Sequence, residues 1–242
     1  MELTGSSVFS LDALSSVLSG EVLSGLLAIV LLDLVLAGDN AIVIALAARN
    51  LPKSVQKKAV FWGTFGAVAV RVALTGVVVY LLQLPGLMLV GGLALLPIAW
   101  KLLKSDGEDH SISAAGSFWA ALRTIIVADA LMGMDNVLAI AGASGGHMGL
   151  VIIGLAISVP LVVWGSTLIL KLIERFPAIV YVGAGAIAWT AARRIAHDHL
   201  VAAWFDAHGW ASYVMDAVFV LIICGGGWLM QRRRKQLSAL AP

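Results

Sequence analysis

The sequence predicts an all-α membrane protein with seven transmembrane helices, arranged as two inverted three-helix repeats plus one extra C-terminal helix. The prediction rests on composition, on apolar runs of membrane-spanning length, and on a motif that occurs twice. Of the 242 residues, 60% are hydrophobic and 12% are charged, whereas soluble domains carry about 25% charged residues. The mean hydropathy is +0.97. Such a chain cannot cover itself with polar groups in water, which excludes soluble enzymes, nucleic-acid binders and disordered proteins.

Seven apolar runs are long enough to cross a bilayer core, which takes about 20 helical residues. They lie at 22–48, 59–82, 86–104, 118–143, 149–172, 178–195 and 212–231. Tryptophans mark several run ends, as is typical of membrane interfaces. Trp164 and Trp189 lie deeper in their runs, and we expect them to pack inside the protein.

The basic residues between the runs predict the orientation. The connection 49–58 and the tail 232–235 are rich in Lys and Arg, whereas the second and fourth connections contain neither. Because basic loops stay in the cytoplasm, the N-terminus is expected outside and the C-terminus in the cytoplasm. Arg193 and Arg194, at the predicted outer end of the sixth run, are exceptions to this rule.

An internal repeat predicts the architecture. The segment IVLLDLVLAGDNAIVIALA from Ile29 matches IIVADALMGMDNVLAIAGA from Ile125, at a constant offset of 96 residues. The repeating unit contains three helices, an odd number, so the second copy must enter the membrane from the opposite side. Inverted repeats of this kind are common in transporters, which bind their substrate near the midplane between the repeats.

These patterns divide the chain into seven segments. They are a short outer N-terminal segment (1–21), the first repeat (22–104), a cytoplasmic linker (105–117), the second repeat (118–195), an outer loop (196–211), the seventh helix (212–231) and a basic cytoplasmic tail (232–242).

Both copies of the repeat carry Asp-x5-Asp-Asn inside a predicted span. The motif residues are Asp33, Asp39 and Asn40 in the first copy, and Asp129, Asp135 and Asn136 in the second. An aspartate at a helix centre in the membrane costs about 2.5–3.5 kcal/mol, so intramembrane acids are candidates for function. In a regular helix the two acids of one motif would point about 120° apart. A break at Gly38 or Gly133 would bring them together, and the sequence leaves this open.

The motifs offer four carboxylates and two amides, which are hard oxygen ligands suited to Mg²⁺, Ca²⁺ or Mn²⁺. Neither motif helix contains Cys or His, which disfavours copper(I) and a dedicated zinc site. Met134 beside Asp135 would favour a transition metal, although such a methionine more often only packs. Carboxylates also carry protons, so proton coupling stays open. We predict a transported or bound divalent cation and no resident cofactor.

Other polar residues are auxiliary candidates. Arg71 is the one basic residue deep in a predicted span, and a structural counter-ion role is favoured over repulsion of the cation. Asp216, early in the last run, is either interfacial or in contact with the site. The histidines at 197, 199 and 208 either collect metal near an exit or are ordinary loop residues, and their role stays open.

The segments LDLVLAGDNAIVIALAARNLP and VADALMGMDNVLAIAGA resemble the TerC family of integral membrane proteins, in particular its compact YjbE/YkoY-like branch within the LysE-type exporter superfamily. The likeness runs from about residue 21 to 231. It implies manganese export across the cell inner (cytoplasmic) membrane, with the six motif residues as metal ligands. Met134 stands where the first copy has Gly38, so the half-sites need not be equivalent.

Two alternatives remain. A Ca²⁺, Mg²⁺ or proton-coupled carrier would use the same acids. Alternatively, the chain is a membrane partner of the protein secretion machinery that supplies metal to exported proteins, as the resemblance also implies. An enzyme is not expected, because the sequence has no nucleophile–base pairing and no cofactor motif. The expected partners are a divalent metal ion and the lipid bilayer, with no nucleic acid.

Overall fold

The computed structural model describes residues 20–81, 84–104 and 114–240, and all regular structure within these ranges is helical. The helices are α1 (Gly20–Leu36), α2 (Gly38–Ala48), α3 (Lys53–Leu81), α4 (Leu87–Lys104), α5 (Ala114–Met132), α6 (Met134–Ala143), α7 (Met148–Arg175), α8 (Ile179–Ala196), α9 (Ala202–Ala207) and α10 (Gly209–Leu240). Most of the predicted N-terminal segment (1–19) and of the linker (105–113) lies outside the described residues.

The protein is a multi-pass membrane protein. By length and composition α3, α4, α7 and α10 qualify as membrane spans, and the bent pairs α1–α2 and α5–α6 raise the number of candidates to six. The run predicted at 178–195 forms α8, which is not among these candidates. We ascribe this to Arg193 and Arg194, which make its last turn strongly polar.

The last helix is longer than the predicted seventh run. Helix α10 begins at Gly209 and continues to Leu240, through most of the segment predicted as a separate basic tail. The residues after 231 include no Gly and no Pro before the end of the helix, so nothing local terminates it. Upstream, the short helix α9 forms part of the predicted outer loop.

Large apolar side chains cover the outside of the bundle. Leu221 and Trp164 are each 69% exposed, and Tyr80 is 74% exposed. Such a surface suits lipid, which solvates apolar side chains. The prediction that Trp164 packs inside is therefore wrong: depth in a span does not imply protein neighbours, because the surrounding lipid is equally apolar. Trp189 is half-exposed and does contact α10.

The helices of the two repeats pack crosswise. The first bent pair, α1 and α2, packs on α7, and the second pair, α5 and α6, packs on α3. Equivalent isoleucines lie at both contacts: a Cβ on Gly154 would come within 2.5 Å of Ile29, and one on Gly63 within 2.6 Å of Ile125. Glycines allow this close approach, as is common between membrane helices.

Helices α4 and α8 also pack closely, through small residues. A Cβ on Gly92 would lie 2.7 Å from the backbone oxygen of Ala191 and 2.8 Å from Cγ1 of Ile195. The neighbouring Gly91 has room, since the nearest atom to its hypothetical Cβ is 3.9 Å away, on Leu131. The two glycines therefore differ in what they contribute to the α4–α8 contact.

We expect Gly92→Ala to destabilise the protein by about 1–3 kcal/mol, because the backbone of α8 must move to accept the new methyl group. Gly91→Ala is the matched control and should be neutral or stabilising, since alanine favours a helix. The check is the Tm of each purified variant in detergent. Equal Tm values for the two variants would contradict the close contact at Gly92.

Candidate functional site

Each Asp-x5-Asp-Asn motif lies across a break in a helix. In the first motif, Asp33 belongs to the last turn of α1, the helix breaks at Ala37, and Asp39 and Asn40 begin α2 at a bend of 52°. In the second motif the break is at Gly133, 96 residues further along, and the bend is 64°. Breaks inside a membrane leave backbone carbonyls in need of hydrogen-bond donors.

Arg71 on α3 joins the two motifs. Its Nη1 donates to Oδ1 of Asp33, and its Nη2 lies 2.6 Å from Oδ1 of Asp129. Ser158 on α7 donates to the other oxygen of Asp33. All four side chains are buried. The structure thus brings together one carboxylate from each motif, with residues of α3 and α7 completing the cluster.

Arg71 compensates one of the two carboxylate charges of this cluster. Buried charges are tolerated when they are paired and hydrogen-bonded, and Asp33 has partners for both carboxylate oxygens. Asp129 is less satisfied, because its Oδ2 is buried without a hydrogen-bond partner among the described residues. The same holds for Nε of Arg71. Polar capacity thus remains unused at the Asp129 side of the cluster.

The two asparagines are placed differently. Nδ2 of Asn136 donates to the backbone oxygen of Leu36 at 3.2 Å, so the second motif satisfies the carbonyl at the first break. Asn40 is 2% exposed, and within the described part of the chain neither its Oδ1 nor its Nδ2 has a hydrogen-bond partner. The carbonyl at the second break, that of Met132, accepts a hydrogen bond from Nη2 of Arg194 instead.

The remaining motif carboxylates lie after the breaks. Asp39 is partly exposed and its Oδ1 accepts the backbone N–H of Asn40 at 2.8 Å. Arg194 and Arg71 both lie within its electrostatic reach. Asp135 is in the first turn of α6, but its side chain lies outside the described residues.

The described residues contain no group of three or more His, Cys, Asp or Glu side chains spaced to hold a metal ion. Between Asp33 and Asp129 stands the guanidinium of Arg71. Among the predicted ligands whose side chains the structure describes, Asp33 and Asp129 therefore meet at Arg71, but the carboxylates do not surround a common point. A cation could bind between these two carboxylates only if Arg71 moved.

The auxiliary candidates lie in different places. Met134 is buried at the start of α6. Asp216 on α10 pairs with Arg193, at 2.9 Å from Nε, and accepts a hydrogen bond from Nε1 of Trp189 at 3.1 Å. It thus ties α10 to α8, and no contact of Asp216 with Arg71 is seen in the described part of the structure.

Two histidines of the predicted outer loop, His197 and His208, contact backbone oxygens four residues earlier in the chain. Nδ1 of His197 lies 2.7 Å from the backbone oxygen of Arg193, and Nδ1 of His208 lies 3.0 Å from that of Trp204. Neighbouring Asp198 is buried and accepts backbone N–H groups of Gly86, Leu89 and Leu200. Its carboxylate holds the start of α4 against the loop after α8.

The hydrogen bonds to Asp198 predict that the protein's stability depends on pH. Burial alone would raise the pKa of Asp198, but the N–H groups of Leu200, Leu89 and Gly86 outweigh it and hold the pKa below its ordinary value of 3.8. A carboxylate whose pKa is lowered in the folded protein stabilises the fold at pH values above its ordinary pKa. This stabilisation is lost as the pH falls through the lowered pKa. We expect Asp198→Asn to reduce the Tm in detergent at about pH 6, and the gap to the wild type to narrow below about pH 4. A gap independent of pH would contradict the role of the charge.

Sequence reasoning missed two residues of the site: Ser158 of the cluster, and Arg194 at the second break. Ser158 gave no signal, since a serine within an apolar run is ordinary. Arg194 was interpreted as a charge at the end of a span, yet it is 4% exposed and reaches the second break. The available signal was its neighbourhood, because Ala188, Ala191 and Ala192 give α8 a face of small residues that lets another helix approach.

Comparison with known proteins supports a single family. Residues 18–236 match the family model described as integral membrane protein TerC family. The chain is 42% identical over 201 residues to the uncharacterized membrane protein YjbE of Bacillus subtilis, covering 83% of this chain and 92% of that one. It is 24% identical over 228 residues to the inner membrane protein YgdQ of Escherichia coli, covering 86% and 92%. No solved structure matches the chain.

Proposed function

The chain belongs to the TerC family of integral membrane proteins, and we propose that it exports a divalent metal cation, Mn²⁺ in preference, through a site formed by its two motifs. The membrane is the inner (cytoplasmic) one, with the N-terminus outside and the C-terminus in the cytoplasm. The observation that carries the proposal is the meeting of Asp33 and Asp129 at Arg71, next to two helix breaks. Intramembrane acids at broken helices are how several transporter folds bind ions.

The crosswise packing supports an inverted repeat. Under the offset of 96 residues, α1, α2 and α3 correspond to α5, α6 and α7. Each bent pair packs on the long helix of the other repeat, and the two long helices contact each other. This reciprocal packing is the pattern expected if a pseudo-two-fold axis through the cluster relates the two repeats. Such an axis would let each half rock against the other around a central site.

The chemistry of the donors supports a hard or borderline divalent cation. Asp39 is partly exposed, Asn40 has an unused buried amide oxygen, and the motifs supply oxygen donors throughout. Oxygen ligands suit Mg²⁺, Ca²⁺ and Mn²⁺ alike. The family resemblance favours manganese among them, and Met134 offers a softer neighbour that Ca²⁺ would not use.

The test is Mn²⁺ flux into proteoliposomes that contain the purified protein, with Ca²⁺ and Mg²⁺ as competitors and with and without a pH gradient. Saturable Mn²⁺ flux that is poorly competed supports the proposal. Equal competition would replace manganese by a general Ca²⁺ or Mg²⁺ carrier, and flux driven by the gradient would establish proton coupling. A folded protein without flux that co-purifies with the secretion channel would favour the metal-supplying role instead.

A further inference from the structure

The two helix breaks are stabilised by different side chains. Asn136 donates to the carbonyl of Leu36 at the first break. The repeat pairs Asn136 with Asn40 and Leu36 with Met132, so a symmetric molecule would have Asn40 donate to Met132. Instead, Arg194 donates to the carbonyl of Met132. The charged guanidinium of Arg194 therefore stabilises the second break, whereas the neutral amide of Asn136 stabilises the first.

The side chain of Asn40 is left without a hydrogen-bond partner among the described residues. It is buried, and this holds for both of its polar atoms. A buried polar group without a hydrogen bond is unfavourable, and Asn40 is in this state in the arrangement that has Arg194 on Met132. An alternative arrangement, in which Asn40 donates to Met132 and Arg194 moves away, would satisfy the amide. By the symmetry of the repeat, Asn40 is the second potential donor for the carbonyl that Arg194 now occupies.

Arg194 also changes the charge of the site. Asp39 lies within its electrostatic reach, and the four motif aspartates together with Arg71 and Arg194 carry a net formal charge of −2. One divalent cation would neutralise that charge. A cation bound near Asp39 would at the same time repel the guanidinium of Arg194, because like charges are costly where the dielectric is low.

We propose that Arg194 is a specificity-determining residue of the transport site: its charge matches the site to one divalent cation, and its guanidinium leaves the Met132 carbonyl to Asn40 when that cation binds. This rests on the proposed cation transport. In the absence of the metal ion, the positive charge of Arg194 partly neutralises the acids of the site. It weakens binding and thereby lets the cation leave, which a carrier needs as much as it needs binding.

Two substitutions separate the charge from the hydrogen bond. Arg194→Gln removes the charge but keeps an N–H donor, so Mn²⁺ should bind at least about fivefold more tightly, and flux should fall because release is slower. Arg194→Lys keeps the charge, so the Kd should stay near the wild-type value. Arg193→Gln is the matched control: it removes the same charge one residue earlier, where the side chain pairs with Asp216, and should leave the Kd unchanged.

Mn²⁺ binding is measured in detergent from the electron paramagnetic resonance signal of the free ion, and flux is measured in proteoliposomes. The inference is overturned if the wild type transports Mn²⁺ while Arg194→Gln matches it in both Kd and rate. It is also overturned if the Gln and Lys variants shift the Kd equally, because charge is then irrelevant. Wild-type protein that neither binds nor transports Mn²⁺ would instead remove the proposed function, and the inference with it.

Discussion

Replacing Arg71 by glutamine should destabilise the protein more than any other single change at the site. Arg71 is the ion-pair partner of both Asp33 and Asp129, and all three side chains are buried. Removing one partner from a buried ion pair leaves an uncompensated charge and costs about 3–5 kcal/mol. Here two carboxylates lose their partner at once. In detergent we expect a Tm lower by about 10 °C.

The matched control for Arg71 is Arg123→Gln, which removes an exposed arginine from α5 and should barely change the Tm. A rescue sharpens the test, because adding Asp33→Asn and Asp129→Asn to Arg71→Gln removes the charges left without a partner. The triple variant should recover part of the lost Tm. If Arg71→Gln is as stable as Arg123→Gln, the two ion pairs do not hold the repeats together.

The helices could be predicted from the sequence because the hydrophobic runs are long and strong. Six of the seven runs are recognisable as span candidates, two of them as bent pairs. The sixth run, which ends in Arg193 and Arg194, is helical but is not among these candidates. Hydropathy thus located the helices well. The sixth run is the exception, because Arg193 and Arg194 lower the mean hydropathy of its 18-residue helix.

The site was harder to predict, since its geometry depends on distant contacts. Glycines suggested where the motif helices could break, but the first break lies at Ala37, and alanine is the strongest helix former. The local signal is the neighbouring Gly38 and not Ala37 itself. What accompanies the break is the hydrogen bond from Asn136 to Leu36, a contact across 100 positions in the sequence. The same reason hid Arg194, whose target carbonyl lies 62 positions away.

Replacing Asp39 by asparagine should abolish most of the transport while sparing the fold. Among the motif acids with described side chains, Asp33 and Asp129 pair with Arg71, so neutralising either would also unbalance that arginine. Asp39 differs, because its carboxylate accepts a backbone N–H from Asn40 that an asparagine oxygen can also accept. Its substitution therefore removes a charge and a metal ligand with little structural cost.

We expect Mn²⁺ flux in proteoliposomes to fall about a hundredfold in Asp39→Asn, since even residues that only support a metal ligand cost 10–100-fold in affinity or activity. Asp135→Asn, the same change in the second motif, should give a comparable loss if the repeats contribute equally. Asp206→Asn, which neutralises an exposed carboxylate on α9, should leave flux intact. The Tm of each variant separates a lost ligand from a lost fold. Flux that persists in a stable Asp39→Asn variant would exclude Asp39 as a ligand and move the cation path toward Asp129, whose second oxygen is buried without a partner in the described structure.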